Sequence, residues 1–249
     1  METVFDTLPQ FAAACLALAV AEAVYVLLGF GAGLIAVGSL ALLMPEVRDV
    51  VVMLLLVNLP AELYVVGSSW RNVAWRGILV VFAGIAVGIP LGAWLLDSGE
   101  PTALLTMLGA VLVVVGGVFL AAPLQRAAPV PPWLALPVGV VSGVLTGLFG
   151  TGGPPLIFYY HLKGVDKTTF RSSLMAIFLL MTFVRIPSYV AFGLVTGPRM
   201  WSALAVIPAV LLGAWVGNRI HLKIDEVAFR RLVSAALVLI GVLLLVRRF

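Results

Sequence analysis

The chain has 249 residues, of which 63% are apolar or aromatic (AVILMFWYC) and 10% are Asp, Glu, Lys or Arg, where a soluble domain carries roughly 25% charge. That composition excludes a water-soluble globular protein; at roughly 20 apolar residues per helical crossing, about six to nine crossings of a membrane fit. The 15 Lys and Arg against 11 Asp and Glu leave a formal charge of +4, too small an excess to point to a nucleic-acid partner.

In chain order, Glu2 and Asp6 precede the first apolar run without a basic region, so the opening segment is expected to stay in the mature protein rather than act as a signal peptide. Leu8 to Met44 is apolar but interrupted at Gly29-Phe30-Gly31-Ala32-Gly33. Three ordinary crossings follow: Val50 to about Ser69, containing Glu62; the uncharged stretch from Arg76 to Asp97; and that from Glu100 to Arg126. A polar, proline-rich linker at 125–132 leads to Trp133 to His161, interrupted at Gly147-Leu148-Phe149-Gly150-Thr151-Gly152-Gly153-Pro154-Pro155. Ser172 to about Leu194, containing Arg185, then Arg199 to Arg219, then Ala228 to about Val246 complete six ordinary crossings. Glycine and proline disfavour helix interiors, so each interrupted segment is expected to enter the membrane, break, and either continue or return.

The distribution of basic residues separates those alternatives. If every segment crosses once, eight basic residues (Arg48, Lys163, Lys167, Arg171, Arg219, Lys223, Arg230, Arg231) face six (Arg71, Arg76, Arg126, Arg199, Arg247, Arg248). If both interrupted segments return to their starting side, ten (Arg71, Arg76, Arg126, Lys163, Lys167, Arg171, Arg219, Lys223, Arg230, Arg231) face four (Arg48, Arg199, Arg247, Arg248), with Arg185 inside the membrane. The second arrangement carries the bias expected of a cytoplasmic side and places both termini outside.

Short matches recur in the same order in both halves. The glycine breaks near 31 and 150, Leu91-Gly92-Ala93-Trp94 with Leu212-Gly213-Ala214-Trp215, and Val57-Asn58-Leu59-Pro60 with Val184-Arg185-Ile186-Pro187 stand 119, 121 and 127 residues apart. They indicate a duplication, with an N-terminal membrane repeat at 1–124, the linker at 125–132 and a C-terminal membrane repeat at 133–249. One returning segment plus three crossings is an odd number of traversals, so the second repeat starts on the opposite side from the first. The fold class expected is therefore an all-α polytopic membrane protein of two inverted repeats, an architecture that secondary transporters use for alternating access.

The paired glycine-rich elements opening each half, the Gly-Ala-Trp repeats and the chain length resemble the sulfite exporter TauE/SafE family of membrane permeases. The resemblance covers nearly the whole chain, and its most specific part is Gly147 to Pro155, a glycine-rich element leading into prolines. The first copy departs from it: Gly31-Ala32-Gly33 has no run of three glycines, and Pro45 lies well downstream. The resemblance implies transport, commonly export, of small sulfur-containing anions such as sulfite or sulfonates across the cytoplasmic membrane.

Arg185, midway between Arg171 and Arg199, is the sharpest single signal. A guanidinium at that depth costs roughly 3 kcal/mol even on insertion scales and must face a wet cavity or a partner. Its planar fork suits an oxyanion with two or three equivalent oxygens. Two readings stand, substrate contact and a buried pair with Glu62 or with helix-end carbonyls. Asn58 occupies the repeat position matching Arg185 and can donate to the same anion or to a neighbouring helix. Pro60 and Pro187, two residues further on, are expected to unwind their helices locally and act as hinges, as are Pro154 and Pro155.

Half-helices beginning after Gly33 or Gly153 would direct N-terminal amides at the anion, with Gly31, Gly150 and Gly152 shaping the breaks and Ser39 and Thr151 adding hydroxyls. Gly84xxxGly88xxxGly92 and Gly213xxxGly217 read instead as helix-packing stripes. Glu62 and Glu22, carboxyl groups in apolar surroundings, are candidate proton-coupling residues. His161 and His221 read as interfacial residues, Trp70, Trp75, Trp133 and Trp201 as aromatic anchors, and the basic loop from Lys163 to Arg171 as a topological signal assisted by membrane lipids.

The lone Cys15 excludes an intrachain disulfide, and the histidine and carboxylate spacing matches no metal site. No nucleotide-binding loop, nucleophile and base pair or cofactor motif is present, so neither an enzyme nor a cofactor is expected, and no pattern fixes an oligomeric state. The partners expected are a small anion, a sulfur oxyanion or sulfonate, and membrane lipid. An anion channel and a non-transporting membrane scaffold are the alternatives to a secondary transporter.

Overall fold

The computed structural model describes residues 3–28, 32–44, 46–69, 73, 75–121, 130–164, 167–220 and 226–246. Among them there is no strand, and the chain is all-α. The helices are α1 (Leu8–Leu28), α2 (Ala32–Leu43), α3 (Val47–Ser69), α4 (Trp75–Ser98), α5 (Pro101–Ala121), α6 (Ala135–Phe149), α7 (Gly153–Leu162), α8 (Lys167–Ala191), α9 (Gly197–Ile220) and α10 (Glu226–Val246), with one turn of 3-10 helix at Pro132–Leu134 before α6.

Among the described residues, six helices are long and apolar enough to cross a membrane: Leu8–Tyr25, Gly77–Ser98, Pro101–Ala121, Pro132–Phe149, Ser172–Ala191 and Gly197–Gly217. Two of these lie in the segments expected to be interrupted in their middles. The interruption instead falls after a span-length first limb, and the second limb is short. With 12 residues in α2 and 10 in α7, these helices extend only about 18 and 15 Å, about half the hydrocarbon thickness. A long helix, a short helix and three long helices thus occur twice in succession.

Helix α3 continues through position 60 and α8 through Pro187, where local unwinding was expected. A proline removes one donor to residue i−4, and a neighbouring helix or side chain readily compensates this inside a membrane. Pro90 and Pro208 are accommodated within α4 and α9 in the same way.

The chain forms two compact units, each drawing on both halves of the sequence. The first comprises Met1–Val57, Gly99–Ala122 and Val195–Phe249; the second comprises Asn58–Ser98 and Pro123–Leu194. In the first unit α1 packs on α9, α5 on α10, and α1 on α2. Gln10 near the start of α1 donates its side-chain amide to the Leu43 carbonyl at the end of α2, at 3.3 Å, so the α1–α2 segment folds back towards its own beginning. The Arg199 guanidinium at the start of α9 meets Asp49 at the start of α3, at 2.7 Å. Next to it Arg48 donates to the Gly99 carbonyl at 2.8 Å and pairs with Glu46 at 3.2 Å.

In the second unit α4 packs along α6, and α8 packs on α4. The α4–α6 seam is made by the glycines that the sequence marks as packing positions. A Cβ added at Gly88 would lie 2.9 Å from the Val144 amide nitrogen and 3.0 Å from the Gly143 Cα; one at Gly92 would lie 2.9 Å from the Leu148 nitrogen. Facing them, a Cβ at Gly143 would lie 2.7 Å from the Ile85 carbonyl oxygen. The two backbones therefore touch directly, which dispersion and weak Cα–H···O contacts favour in lipid, where no hydrophobic effect drives helices together. In the first unit Gly217 approaches α1 in the same manner, a Cβ there lying 2.7 Å from the Ala23 carbonyl.

Candidate functional site

The second unit contains the break between α6 and α7. Helix α6 ends at Gly150, which adopts φ 69 in the left-handed region, where a side chain is strained and glycine is not. Its N–H bonds the Thr146 carbonyl at 2.8 Å, and the Thr151 N–H reaches the Leu145 carbonyl at 3.4 Å. The chain then turns out of α6 and starts α7 at Gly153.

Because the Thr151 amide is directed to Leu145, the Gly147 carbonyl, one of the last of the helix, needs another donor. The Tyr189 hydroxyl of α8 supplies it at 2.7 Å. The same hydroxyl accepts from the Nε of Arg185 at 3.1 Å. Arg185 and Tyr189 are one helical turn apart on α8, the i and i+4 relation that lets two side chains meet, and the guanidinium carbon lies 5.0 Å from the Tyr189 ring centroid. Arg185 is 5% exposed and Tyr189 fully buried.

The guanidinium rests against Gly150. A Cβ there would fall 2.8 Å from one terminal nitrogen and 3.3 Å from the central carbon. Gly150 is therefore required twice, for its left-handed turn and for the space it leaves to the cation. The guanidinium also sits at the carbonyl end of α6, where the partial negative charge of the helix favours it.

A second polar knot holds the break from the other side. The Ser142 hydroxyl donates to the Gly152 carbonyl, and the Thr146 hydroxyl donates to the Ser142 carbonyl at 2.7 Å and lies 3.3 Å from the Met181 sulfur. A Cβ at Gly152 would collide with Thr146 Oγ1 and the Ser142 carbonyl oxygen. Between Gly150 and Gly152, Thr151 is buried and its hydroxyl has no hydrogen-bond partner. An unsatisfied buried hydroxyl carries a desolvation cost of about 1–3 kcal/mol and marks a position for a ligand or water.

Helix α7 contributes less amide than its position suggests. Pro154 is buried and Pro155 half-buried; both fall in the first turn and neither has an N–H, leaving the Gly152 and Gly153 amides as the donors free of the helix. Two successive prolines lock φ at both residues of that turn.

The structure thus assembles Arg185, Gly150, Thr151, Gly152 and Gly153 around one break. Asn58 lies half-buried on α3. Gly31 and the side chains of Pro60 and Glu62 lie outside the described residues, so the Arg185–Glu62 pair is not addressed. Glu22, 7% exposed on α1, and Gly33 and Ser39 on α2 belong to the first unit. Ser39 donates within its own helix, to the Ile35 carbonyl at 2.5 Å and the Ala36 carbonyl at 3.3 Å, so its hydroxyl proton is already engaged.

Sequence reasoning missed Tyr189, Ser142 and Thr146. Tyr189 stands four residues after Arg185, and Ser142 and Thr146 are four residues apart just ahead of the glycine run. Helical spacing places Tyr189 beside Arg185 and puts Ser142 and Thr146 on one helix face, but it does not show which groups they meet.

The family model described as Sulfite exporter TauE/SafE matches residues 14–244. The chain is 28% identical over 221 residues to a protein of Cupriavidus necator named "Probable sulfite/organosulfonate exporter TauE", covering 86% of this chain and 85% of that one. It is 26% identical over 190 residues to "Probable inner membrane transporter protein TsaS" of Comamonas testosteroni, covering 76% of this chain and 80% of that one. No solved structure matches.

Proposed function

Since this chain belongs to the sulfite exporter TauE/SafE family, a family of multi-pass membrane transporters, we propose that it exports a small sulfur-containing anion, sulfite or an organosulfonate, across the inner membrane as a secondary transporter. The observation that carries the reading is the break between α6 and α7, where a buried guanidinium lies against Gly150 and the next residue, Thr151, presents a buried hydroxyl without a protein partner. A cation with planar donors beside a free hydroxyl suits an oxyanion with several equivalent oxygens. The names of the two relatives, a sulfite/organosulfonate exporter and an inner membrane transporter, favour the same substrate class and location.

The two repeats are inverted in this reading, and alternating access follows from that symmetry. Three features support it: the twice-repeated succession of helix lengths, the return of α2 to the start of α1 through Gln10 and Leu43, and the Asp49–Arg199 pair. That pair joins residues which single crossings throughout would put on opposite faces and which returning segments put on one. Asn58, from the matching position of the first repeat, supplies a further donor to the anion, and Glu22 and Glu62 are the candidate proton-coupling groups. A monovalent anion leaving a negative interior gains about 2.3 kcal/mol per 100 mV, so export needs no coupled ion.

Counterflow of radiolabelled sulfite in proteoliposomes tests the proposal, with unlabelled sulfonates as competitors and Arg185→Gln at matched protein content. Saturable wild-type counterflow that the substitution abolishes is the expected result. Current far beyond carrier rates without counterflow would make the protein a channel, and no movement of any anion by folded wild type would make it a scaffold.

A further inference from the structure

A second unsatisfied hydroxyl lies at the far end of α7 from the break. Tyr160 is 2% exposed, and its Oη has no hydrogen-bond partner. It lies seven residues after Gly153, nearly two full turns, and so on the same side of α7 about 10 Å further along. Across from it stands Gly77, in the first turn of α4, where a Cβ would lie 4.0 Å from the hydroxyl, an ordinary contact distance; with no side chain there, Gly77 offers the hydroxyl no polar partner. The neighbouring Tyr159 meets the Tyr160 ring edge to face, with centroids 5.5 Å apart, and carries Lys163 Nζ 4.8 Å over its own ring. The ring is held, a cation stands one turn away, and the one polar atom that Tyr has and Phe lacks is left unbonded. A phenylalanine would fill the same volume without the cost of a buried, unpaired hydroxyl.

We propose that Tyr160 is a second anion-binding residue, whose hydroxyl donates to a sulfur-bound oxygen of the substrate at the Lys163 end of α7, one helix length from the Arg185 and Thr151 position. The inference rests on the reading of the chain as an exporter of sulfur anions. It divides the path into two stations along one short helix: a charged one at the break, and a weaker one where a neutral hydroxyl and a nearby lysine receive or release the anion. A weaker terminal station suits transport, because an anion bound with full charge compensation at both ends would leave slowly.

The test is Tyr160→Phe, which removes the hydroxyl and keeps the ring. In counterflow of radiolabelled sulfite, the substitution is expected to raise the half-saturation concentration roughly tenfold, the loss of one hydrogen bond to a charged ligand. Thermal melting of the purified protein supplies the second readout. The hydroxyl has no protein partner, so melting without anion is expected to hold or rise relative to wild type, while the upward shift produced by sulfite shrinks. Wild-type half-saturation and a wild-type sulfite shift in the variant would overturn the proposal and leave the exporter reading intact. Absence of both counterflow and melting shift in wild type, with sulfite and with a panel of sulfonates, would overturn the two together.

Discussion

Arg185 and Gly147 share one hydroxyl: Tyr189 accepts from the arginine at 3.1 Å and donates to the Gly147 carbonyl at 2.7 Å. The cation of α8 and the carbonyl end of α6 are thereby fixed to each other through a single fully buried atom. Tyr189→Phe deletes both bonds without changing the packing. The expected cost is about 1–3 kcal/mol of stability, from the carbonyl left unpaired, read as a lowered melting temperature in detergent. Counterflow is expected to fall with it, because the guanidinium loses the acceptor that orients it.

Arg185→Lys distinguishes charge from geometry. The lysine keeps the positive charge but offers no planar fork and no Nε to meet Tyr189. Sulfite counterflow is expected to drop at least tenfold relative to wild type, with a smaller drop than in Arg185→Gln. Equal activity of the lysine variant and wild type would reduce the role of Arg185 to that of a point charge.

Gly150→Ala combines a left-handed backbone penalty of about 1–2 kcal/mol with a methyl placed 2.8 Å from the guanidinium. A clear fall in melting temperature and loss of transport are expected. Gly117→Ala is the control: nothing stands within 4 Å of a Cβ there, and replacing a glycine inside a helix by alanine gains about 0.5–1 kcal/mol, so the melting temperature is expected to hold or rise.

Gly88→Ala tests the α4–α6 seam. The added methyl would meet the Val144 amide nitrogen at 2.9 Å and the Gly143 Cα at 3.0 Å, backbone atoms that yield only if the helices separate. Overpacking of this kind costs about 1–3 kcal/mol, to be measured by melting beside Gly117→Ala.

The returning segments predict a definite labelling pattern. In a Cys15→Ser background, Glu100→Cys and Lys163→Cys, both at exposed positions, are expected to react with impermeant maleimide from opposite sides of the membrane. Single crossings throughout put them on the same side, so labelling of both from one face would remove the inverted-repeat reading.

Much of this architecture was visible in residue order, for reasons that differ from element to element. Glycines four apart at 84, 88 and 92 announce a backbone seam because only close packing gives such a stripe a purpose inside lipid. Arg185 announces a site because its desolvation demands one. The limb lengths were less legible: α1 and α6 are themselves span-length, since glycine runs mark where a helix stops but not how much helix precedes them. Pro187 suggested unwinding, yet its helix continues, because one lost bond is cheaply absorbed. Tyr189 and Tyr160 were invisible for a different reason. A tyrosine in an apolar segment carries no charge, and its meaning depends on a carbonyl 42 residues away or on a glycine in another helix.

The seams that join α4 to α6 and α1 to α9 pair helices from opposite halves of the chain. This has a consequence for biogenesis. When the ribosome has released α1 to α5, the glycine face of α4 has no cover, since Gly139, Gly143 and Gly147 are still unmade, and α1 must remain in the bilayer until Gly213 and Gly217 emerge. The nascent chain therefore holds these faces open through much of its synthesis, together with the face of α5 that α10 covers, and the α5–α10 seam closes last.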